Sequence, residues 1–390
     1  MPKIFIIAGE KSGDNLGAKL ISALKAKQND IEIFGIGGEE MEKTGLKSLF
    51  PMKEINLMGF AEIIPHLPNL INRINFTTKK ILEEQPEIVI TIDSPGFNYR
   101  IAKNLRKANF KGKLIHYVAP SVWAYKEKRA KKTAKLFDTL LCILPWEPPY
   151  FEKYNLKTYF IGHSLFENLN ILSDSEKQNF REKLFAKNNI KNDEKLISVF
   201  VGSRLGEVKK HLPIIKKAQE LISQKIDCKF AFLTIPHLQN YLESEIGKSD
   251  KIIISSENIE KQKIIQISDF AIVKSGTISL EVAALNCPQI IYYKVNKLSH
   301  FLIMRMIKIK FANLINISAN EEIIPELIQN NCTAENISEK VLEFLENKNL
   351  SISQLEKAKI ELKKLGSESN QNPSELAADI ILTALKHSIN

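Results

Sequence analysis

The amino-acid sequence predicts an α/β protein with two Rossmann-like domains, each a parallel sheet covered by helices. Apolar runs rich in Ile and Val alternate with helical patterns, an arrangement that gives parallel sheets with both faces buried. Two of these runs, ending at Ala8 and Val201, continue directly into loops that contain Gly or Ser. Ligands bind at the carboxyl ends of such strands. We therefore expect two domains that face each other across a ligand-binding cleft.

The predicted strands form two series, one in each domain. The first series comprises residues 3–8, 31–37, 88–92, 113–118, 139–144 and 159–162. The second comprises residues 196–201, 229–233, 252–255, 270–273 and 289–293. A polar stretch at 167–194 separates the two series, and the pattern becomes helical from Thr333. We divide the chain into an N-terminal domain at 1–165, a C-terminal domain at 166–332, and C-terminal helices at 333–390 that pack on the core or cross back to the first domain.

The composition is that of a globular protein, with 44% hydrophobic and 26% charged residues. The cysteines have no C-x-x-C spacing, which fits a reducing cytoplasm and argues against a disulfide framework or a zinc site. The chain enters its first strand without a signal segment, and no apolar run reaches the roughly 18 residues of a membrane span. The net charge of +10 favours anionic partners, although a lysine-rich composition alone gives the same excess.

The loop at 9–17, with the sequence G-E-K-S-G-D-N-L-G, is the first candidate site. It lies between a predicted strand and a predicted helix, where backbone N–H groups and the helix dipole can meet a ligand. Its glycine spacing matches neither a Walker loop nor a dinucleotide fingerprint. Glu10, Ser12 and Asp14 supply more polar groups than a turn needs, while an ordinary strand-to-helix turn is the alternative.

Two turns in the second domain predict a nucleotide site. Arg204 stands at a predicted helix start, and its planar guanidinium suits a diphosphate because it binds phosphate oxygens in pairs. The later Ser-Gly-Thr turn offers hydroxyl and backbone donors, and Glu281 follows on the same helix face as Thr277, where it can bind ribose hydroxyls. A surface arginine and a simple helix N-cap are the structural alternatives. The predicted nucleotide-binding residues are Gly202, Ser203, Arg204, Ser275, Gly276, Thr277 and Glu281.

Such a succession of phosphate turn, Ser-Gly-Thr turn and carboxylate is how glycosyltransferases of the GT-B type hold a UDP-sugar. Metal-dependent GT-A enzymes use a D-x-D pair instead, and no two aspartates of this chain have that spacing. We therefore predict a GT-B fold and no metal site. Helix ends and Arg204 would then stabilise the diphosphate leaving group.

Asp93 is the candidate general base of the first domain. It follows an apolar run in T-I-D-S-P-G-F-N, at the carboxyl end of a predicted strand, where a carboxylate in a cleft can accept a proton. A helix-capping role is the alternative. Downstream, six cations form either an anion-binding cluster or a solvated helix face, and no RNA-binding motif accompanies them: Lys126, Lys128, Arg129, Lys131, Lys132 and Lys135.

Six sequence blocks in register resemble those of the lipid-A-disaccharide synthase family. In chain order they are A-G-E-x-S-G-D-x-L-G, D-S-P-x-F-N, H-Y-V-A-P-S-V-W-A, F-I-G-H, G-S-R-x-x-E-V and S-G-T-x-x-L-E. The resemblance covers residues 3–332, and the order and spacing of the blocks make it specific. The chain departs from the family at Val201 and Ile315, where the family commonly has Pro.

The resemblance implies a reaction and its participants. The family transfers 2,3-diacylglucosamine from its UDP derivative to the 6-hydroxyl of 2,3-diacylglucosamine 1-phosphate, with inversion, giving a β(1→6) disaccharide and UDP. It implies no cofactor. Asp93 would be the base, Glu10 and Ser12 would position sugar or acceptor, and Asn316 aligns with an asparagine important to the family. The N-terminal domain would thus carry acceptor and catalysis, and the C-terminal domain the UDP-sugar.

Lipid substrates imply work at a membrane surface. Segment 55–71 is apolar with Glu62 as its only acidic residue, and segment 301–311 interleaves apolar side chains with Arg305, Lys308 and Lys310. Both fit interfacial helices, although core helices are the alternative. The residues chosen for acyl or membrane contact are Leu57, Met58, Phe60, Ile63, Ile64, Phe301, Met304 and Arg305. We expect a cytoplasmic protein on the cytoplasmic face of the inner membrane, without nucleic acid, and the sequence leaves a homodimer open. The rival interpretations are another GT-B enzyme, such as a UDP-N-acetylglucosamine 2-epimerase, and a non-catalytic nucleotide-binding module.

Overall fold

The computed structural model describes residues 1–55, 60–247, 252–295 and 309–389, without the side chains of 60–66 and 387–389. The chain forms two compact units. Unit 1 consists of Met1–Glu167 and Ser369–Asn390, and unit 2 of Asn168–Glu368.

Unit 1 is built on a six-stranded parallel sheet. Its strands are β1 (Lys3–Ala8), β2 (Glu32–Ile36), β3 (Ile88–Ile92), β4 (Lys113–Tyr117), β5 (Thr139–Cys142) and β6 (Lys157–Phe160). Its first helices are α1 (Lys11–Lys27), α2 (Glu39–Lys43), α3 (Phe60–Glu84), α4 (Pro95–Lys107), α5 (Arg129–Leu136) and α6 (Pro148–Glu152). The strand order is β2-β1-β3-β4-β5-β6, and β1 and β3 are buried along almost their whole length. Continuous apolar strands are what a sheet covered on both faces requires.

Unit 2 repeats this architecture with a second parallel sheet of six strands. The strands are β7 (Lys195–Phe200), β8 (Cys228–Leu233), β9 (Ile252–Ser255), β10 (Phe270–Lys274), β11 (Gln289–Tyr293) and β12 (Glu326–Ile328). The helices are α7 (Asp174–Lys187), α8 (Leu205–Ser223), α9 (Pro236–Ile246), α10 (Asn258–Ile267), α11 (Thr277–Ala284), α12 (Leu314–Ala319), α13 (Ala334–Glu346) and α14 (Lys348–Lys364). The strand order is β12-β11-β10-β7-β8-β9, and the α/β class predicted from the sequence is confirmed.

The last helix, α15 (Pro373–Ile389), belongs to unit 1. Its apolar face, which includes Ile381 and Leu385, is buried in the same core as Leu20 and Leu24 of α1. Lys27 pairs with Asp379 at 2.7 Å beside this contact. The region 333–390, which the sequence analysis treated as one segment, is therefore divided, because 333–368 packs in unit 2.

None of the helices in the described ranges combines the length and the apolar character that crossing a bilayer requires. Eight residues were predicted to contact acyl chains or membrane. Five of them lie outside the described residues, namely Leu57, Met58, Phe301, Met304 and Arg305. The other three, Phe60, Ile63 and Ile64, belong to α3, but their side chains are outside the described part of the structure. Further along α3, Leu67 and Ile71 are exposed one helical turn apart, with 37% and 51% of their surface accessible.

Candidate active site

The two carboxylates predicted in unit 1 meet at a switch point of its sheet. β1 pairs with β2 on one side and with β3 on the other, so the connections leave β1 and β3 in opposite directions. Ligand sites of open α/β sheets lie at this place, outside the carboxyl ends of the strands. Glu10 occupies the N-cap position of α1 after β1, and Asp93 follows β3 directly. The topology therefore joins residues that are far apart in the sequence.

The backbone around Asp93 is held in an unusual conformation. Asp93 and Ser94 both have positive φ angles, of 47° and 43°. The Asp93 N–H donates to the Tyr117 carbonyl at 2.9 Å, and the Asn98 side chain donates to the Asp93 carbonyl at 2.8 Å. Val118, directly after β4, has a φ of 74°, which is costly for a β-branched residue. Strained backbone of this kind clusters at functional sites.

Gly9 lets the β1–α1 loop pass close to Ser94. A Cβ atom at position 9 would collide with the Ser94 side-chain oxygen. Any larger residue would therefore force apart the loops that carry Glu10 and Asp93. This contact gives the glycine of the first motif a role in close packing.

The Asp93 carboxyl group is adapted to accept a proton near neutral pH. Burial is the main cause that raises its pKa to about 7, and a side-chain hydrogen bond with Glu10 and the charge of Glu10 raise it further. The Ser94 backbone N–H acts in the opposite direction. A general base works best when its pKa lies near the working pH, so Asp93 fits that task.

The other polar residues of the first loop have different surroundings. Ser12 is exposed in the first turn of α1. Asp14 is buried, and its carboxylate accepts hydrogen bonds from the backbone N–H groups of Gly38, Glu40 and Met41 at 2.8, 3.0 and 3.1 Å. Asp14 therefore caps α2, which is a structural task.

The two predicted phosphate turns lie at the switch point of the second sheet. β7 pairs with β8 on one side and with β10 on the other. Gly202, with a φ of 117°, follows β7 and leads into α8, whose N-cap is the exposed Arg204. Gly276, with a φ of 151°, is the N-cap of α11 after β10. Both helix starts leave backbone N–H groups available for an anion.

A cavity of about 310 Å³ opens at these two turns. Five predicted nucleotide-binding residues line it, namely Gly202, Ser203, Ser275, Gly276 and Thr277. Arg204 is not among the lining residues, and neither is Glu281. Its carboxylate instead accepts a hydrogen bond from the Gln262 side chain at 2.8 Å.

Asn316 is fully buried, and protein groups occupy its amide. Its Nδ2 donates to the Ile324 carbonyl at 2.7 Å and to Glu326 at 2.8 Å, while its Oδ1 accepts from the N–H groups of Ile323 and Ile324. An amide with both ends occupied has little capacity left for a substrate. The family resemblance marked Asn316 as important, and these contacts lead us to infer that it positions the neighbouring backbone and Glu326.

Three further polar residues line the cavity and were not predicted from the sequence, namely Thr234, Lys261 and Lys274. Thr234 follows β8 and Lys274 ends β10, so their positions at strand ends were the available signal. Lys261 lies within α10, where no motif marks it. Within the described ranges, no group of three His, Cys, Asp or Glu side chains is arranged to hold a metal ion.

The sequence model of a protein family described as lipid-A-disaccharide synthetase matches residues 4–381. The chain belongs to this family.

Relatives named as members include the lipid-A-disaccharide synthases of Rickettsia prowazekii (strain Madrid E) and Rickettsia bellii (strain OSU 85-389). The first is 43% identical over 390 residues, covering 98% of this chain and 99% of the relative. The second is 45% identical over 385 residues, covering 98% of both. The family predicted from six sequence blocks is thus confirmed, and with it a glycosyltransferase of lipid A biosynthesis.

Solved structures with the same fold confirm the GT-B class. The UDP-GlcNAc 2-epimerase from Neisseria meningitidis bound to UDP-GlcNAc has a TM-score of 0.61 at 12% identity, covering 99% of this chain and 100% of that one. A spinosyn rhamnosyltransferase complexed with spinosyn aglycone has a TM-score of 0.57 at 10% identity, covering 98% and 100%. At such low identity these likenesses show the fold alone.

Proposed function

We propose that this member of the family transfers 2,3-diacylglucosamine from UDP-2,3-diacylglucosamine to the 6-hydroxyl of 2,3-diacylglucosamine 1-phosphate. The products are the β(1→6) disaccharide 1-phosphate and UDP. The observation that carries the proposal is the Glu10–Asp93 pair at the switch point of the first sheet, in a chain of this family. A half-buried carboxyl group whose pKa is raised to about 7 suits the removal of a proton from an acceptor hydroxyl.

The chemistry is a single in-line displacement. Asp93 takes the proton of the 6-hydroxyl while the hydroxyl oxygen attacks the anomeric carbon, and the bond from that carbon to the diphosphate breaks. An α-linked donor therefore gives a β-linked product. Glu10 keeps the Asp93 carboxyl group in its raised pKa range and fixes its orientation, and Ser12, exposed next to Glu10, is proposed to contact sugar or acceptor.

Unit 2 is proposed to bind the nucleotide and its departing diphosphate. The starts of α8 and α11 present backbone N–H groups at the cavity, and negative charge is favourable there. Arg204, at the N-cap of α8, is proposed to contact phosphate oxygens, and Glu281 to contact the ribose. Donors fixed before the reaction stabilise developing charge without reorganisation.

We also propose that the protein acts at the cytoplasmic face of the inner membrane. The net charge of +10 favours an anionic surface, and the exposed Leu67 and Ile71 of α3 can enter the interface. Exposed lysines at 126, 128, 131, 132 and 135 add cations. Sedimentation with vesicles should show binding of the protein to anionic vesicles and little binding to neutral ones. Equal binding to both would contradict the proposal that positive charge attracts the protein to the membrane.

One incubation tests the reaction. Purified protein is mixed with UDP-2,3-diacylglucosamine, with and without 2,3-diacylglucosamine 1-phosphate, and products are identified by mass spectrometry. A disaccharide 1-phosphate formed only with the acceptor supports the proposal, and NMR of the new linkage reports its anomeric configuration. An epimer formed without acceptor would favour the epimerase alternative, and no product with intact UDP binding would favour a non-catalytic module.

A further inference from the structure

We infer that Lys261 is a phosphate-contacting residue of the nucleotide cavity and that Thr234 supplies a hydrogen-bonding hydroxyl to the same ligand. This inference rests on the proposed function, because it takes the ligand to be a nucleoside diphosphate. It extends that function to two side chains outside the family motifs.

The two lysines that line the cavity differ in their ion pairs. Lys274 pairs with Glu207 at 3.0 Å, and its ammonium lies 4.9 Å from the centre of the Tyr293 ring. Lys261 lines the same cavity, yet no carboxylate in the described part of the chain forms an ion pair with it. The charge of Lys274 is therefore compensated inside the protein, whereas that of Lys261 is available to an anion.

The surroundings of Lys261 add to this argument. Glu281 and Glu257 act on Lys261 through their charge, but Glu281 is hydrogen-bonded to Gln262, and Glu257 caps α10 by accepting from the N–H groups of Ile259 and Glu260. Burial lowers the pKa of Lys261 despite both carboxylates. A partly desolvated ammonium gains more from an anionic ligand than an exposed one does.

The hydroxyl group of Thr234 points independently to a ligand in the cavity. Thr234 is 4% exposed and lines the cavity, and its Oγ1 has no hydrogen-bond partner among the described residues. A buried hydroxyl without a partner is unfavourable. A ligand in the cavity that accepts or donates a hydrogen bond would remove this cost.

The chemistry of the whole cavity identifies the ligand class. Two helix starts and one ammonium without an ion-pair partner among the described residues favour a group with several negative charges. A neutral hydroxyl beside them suits the polar, uncharged part of the same molecule. A volume of about 310 Å³ lies at the small end of ligand pockets, which span roughly 300–1,000 Å³. A nucleoside diphosphate meets these conditions.

The test compares calorimetric binding of UDP and uridine to the full-length protein. Lys261→Met should weaken UDP binding about 10-fold or more and leave uridine binding unchanged, while Lys261→Arg should restore most of the UDP affinity. Lys263→Met is the matched control, because it removes the same charge from the same helix at a position outside the cavity lining. Thr234→Val should weaken UDP binding several-fold and raise the thermal stability of the free protein, since it removes an unpaired buried hydroxyl.

The outcomes separate this inference from the proposed function. If wild-type protein binds UDP and Lys261→Met binds it equally well, the inferred contact between Lys261 and phosphate is wrong, while the proposed nucleotide site stands. If Lys261→Met loses UDP and uridine to the same extent, Lys261 has a structural role and the inference is also wrong. If the wild-type protein does not bind UDP, the nucleotide assignment fails and this inference fails with it.

Discussion

Glu10 and Asp93 follow neighbouring strands of the first sheet, and Glu10 adds to the effect of burial in raising the pKa of the Asp93 carboxyl group. The sheet order places β1 beside β3, and Gly9 allows the two loops to touch. The pair is therefore a consequence of topology and of one small residue.

Asp93→Asn should abolish most of the transfer activity and spare nucleotide binding. The amide keeps the size of the side chain but cannot accept the proton of the acceptor hydroxyl, so turnover should fall at least ~100-fold. Disaccharide formation and UDP calorimetry measure the two quantities. Asp30→Asn, an exposed change in the loop between α1 and β2, is the control and should be silent. Near-normal turnover in Asp93→Asn would rule out Asp93 as the base.

Glu10→Gln should shift the pH dependence of the reaction. The base must be unprotonated, so kcat/KM should rise with pH through a limb near pH 7, the raised pKa of Asp93. Removing the charge of Glu10 lowers the pKa of Asp93, and the limb should move to lower pH. It should stay above the ordinary pKa of an aspartate, because burial is the largest cause of the shift.

The control for this pH measurement is Glu39→Gln, an exposed change in α2 that should leave the limb in place. A limb that does not move in Glu10→Gln would show that Glu10 does not act on the titrating group.

The same pKa shift makes a prediction about folding. A carboxyl group whose pKa is higher in the folded than in the unfolded protein disfavours folding once it must ionise. Its cost is absent below pH 3.8, develops as pH rises from there to about 7, and is complete above that value. Asp93→Asn removes this cost, so the variant should be more stable than wild type at pH 8 and close to it at pH 4. Urea unfolding at both values measures the difference, and an equal or lower stability at pH 8 would contradict it.

Much of the fold was predictable because burial on both faces leaves a strong local pattern. All eleven predicted strands are present within two residues of their observed bounds. The twelfth, Glu326–Ile328, was missed because three residues at a sheet edge are too short to show a pattern. The division of 333–390 between the units depends on which core the apolar face of α15 enters, and local sequence does not encode that.

The candidate site was predictable only where it carries a motif. Glu10 and Asp93 stand in blocks shared with the family, and their position at strand ends agreed with that resemblance. Lys261 stands in an amphipathic helix where the sequence shows which residues are polar but not which of them face a cavity. Asn316 donates hydrogen bonds to Ile324 and Glu326, which lie beyond its own helix. The residue type alone therefore did not reveal that its amide is occupied by protein groups.

Transfer activity should persist in excess EDTA. The proposed site neutralises the departing diphosphate with helix starts and with the side chains of Arg204 and Lys261, so it does not call for a divalent ion. Initial rates of disaccharide formation with and without EDTA, after extensive dialysis, measure this. A loss of activity that magnesium restores would overturn this part of the mechanism.

Asn316→Ala should destabilise the protein more than it impairs the chemistry of the folded fraction. The change removes an amide that makes four hydrogen bonds. It also takes one hydrogen-bond donor from the Glu326 carboxylate, and burial already raises the pKa of that group. Lost bonds to buried groups of this kind cost about 2–4 kcal/mol of unfolding free energy. Urea unfolding measures that loss, and turnover per folded molecule is measured at a temperature where the variant remains native.

Asn349→Ala, an exposed change at the start of α14, is the control and should stay within about 0.5 kcal/mol of wild type in unfolding free energy. If Asn316→Ala unfolds like wild type but loses turnover, the asparagine contacts the substrate and the positioning role proposed here is wrong.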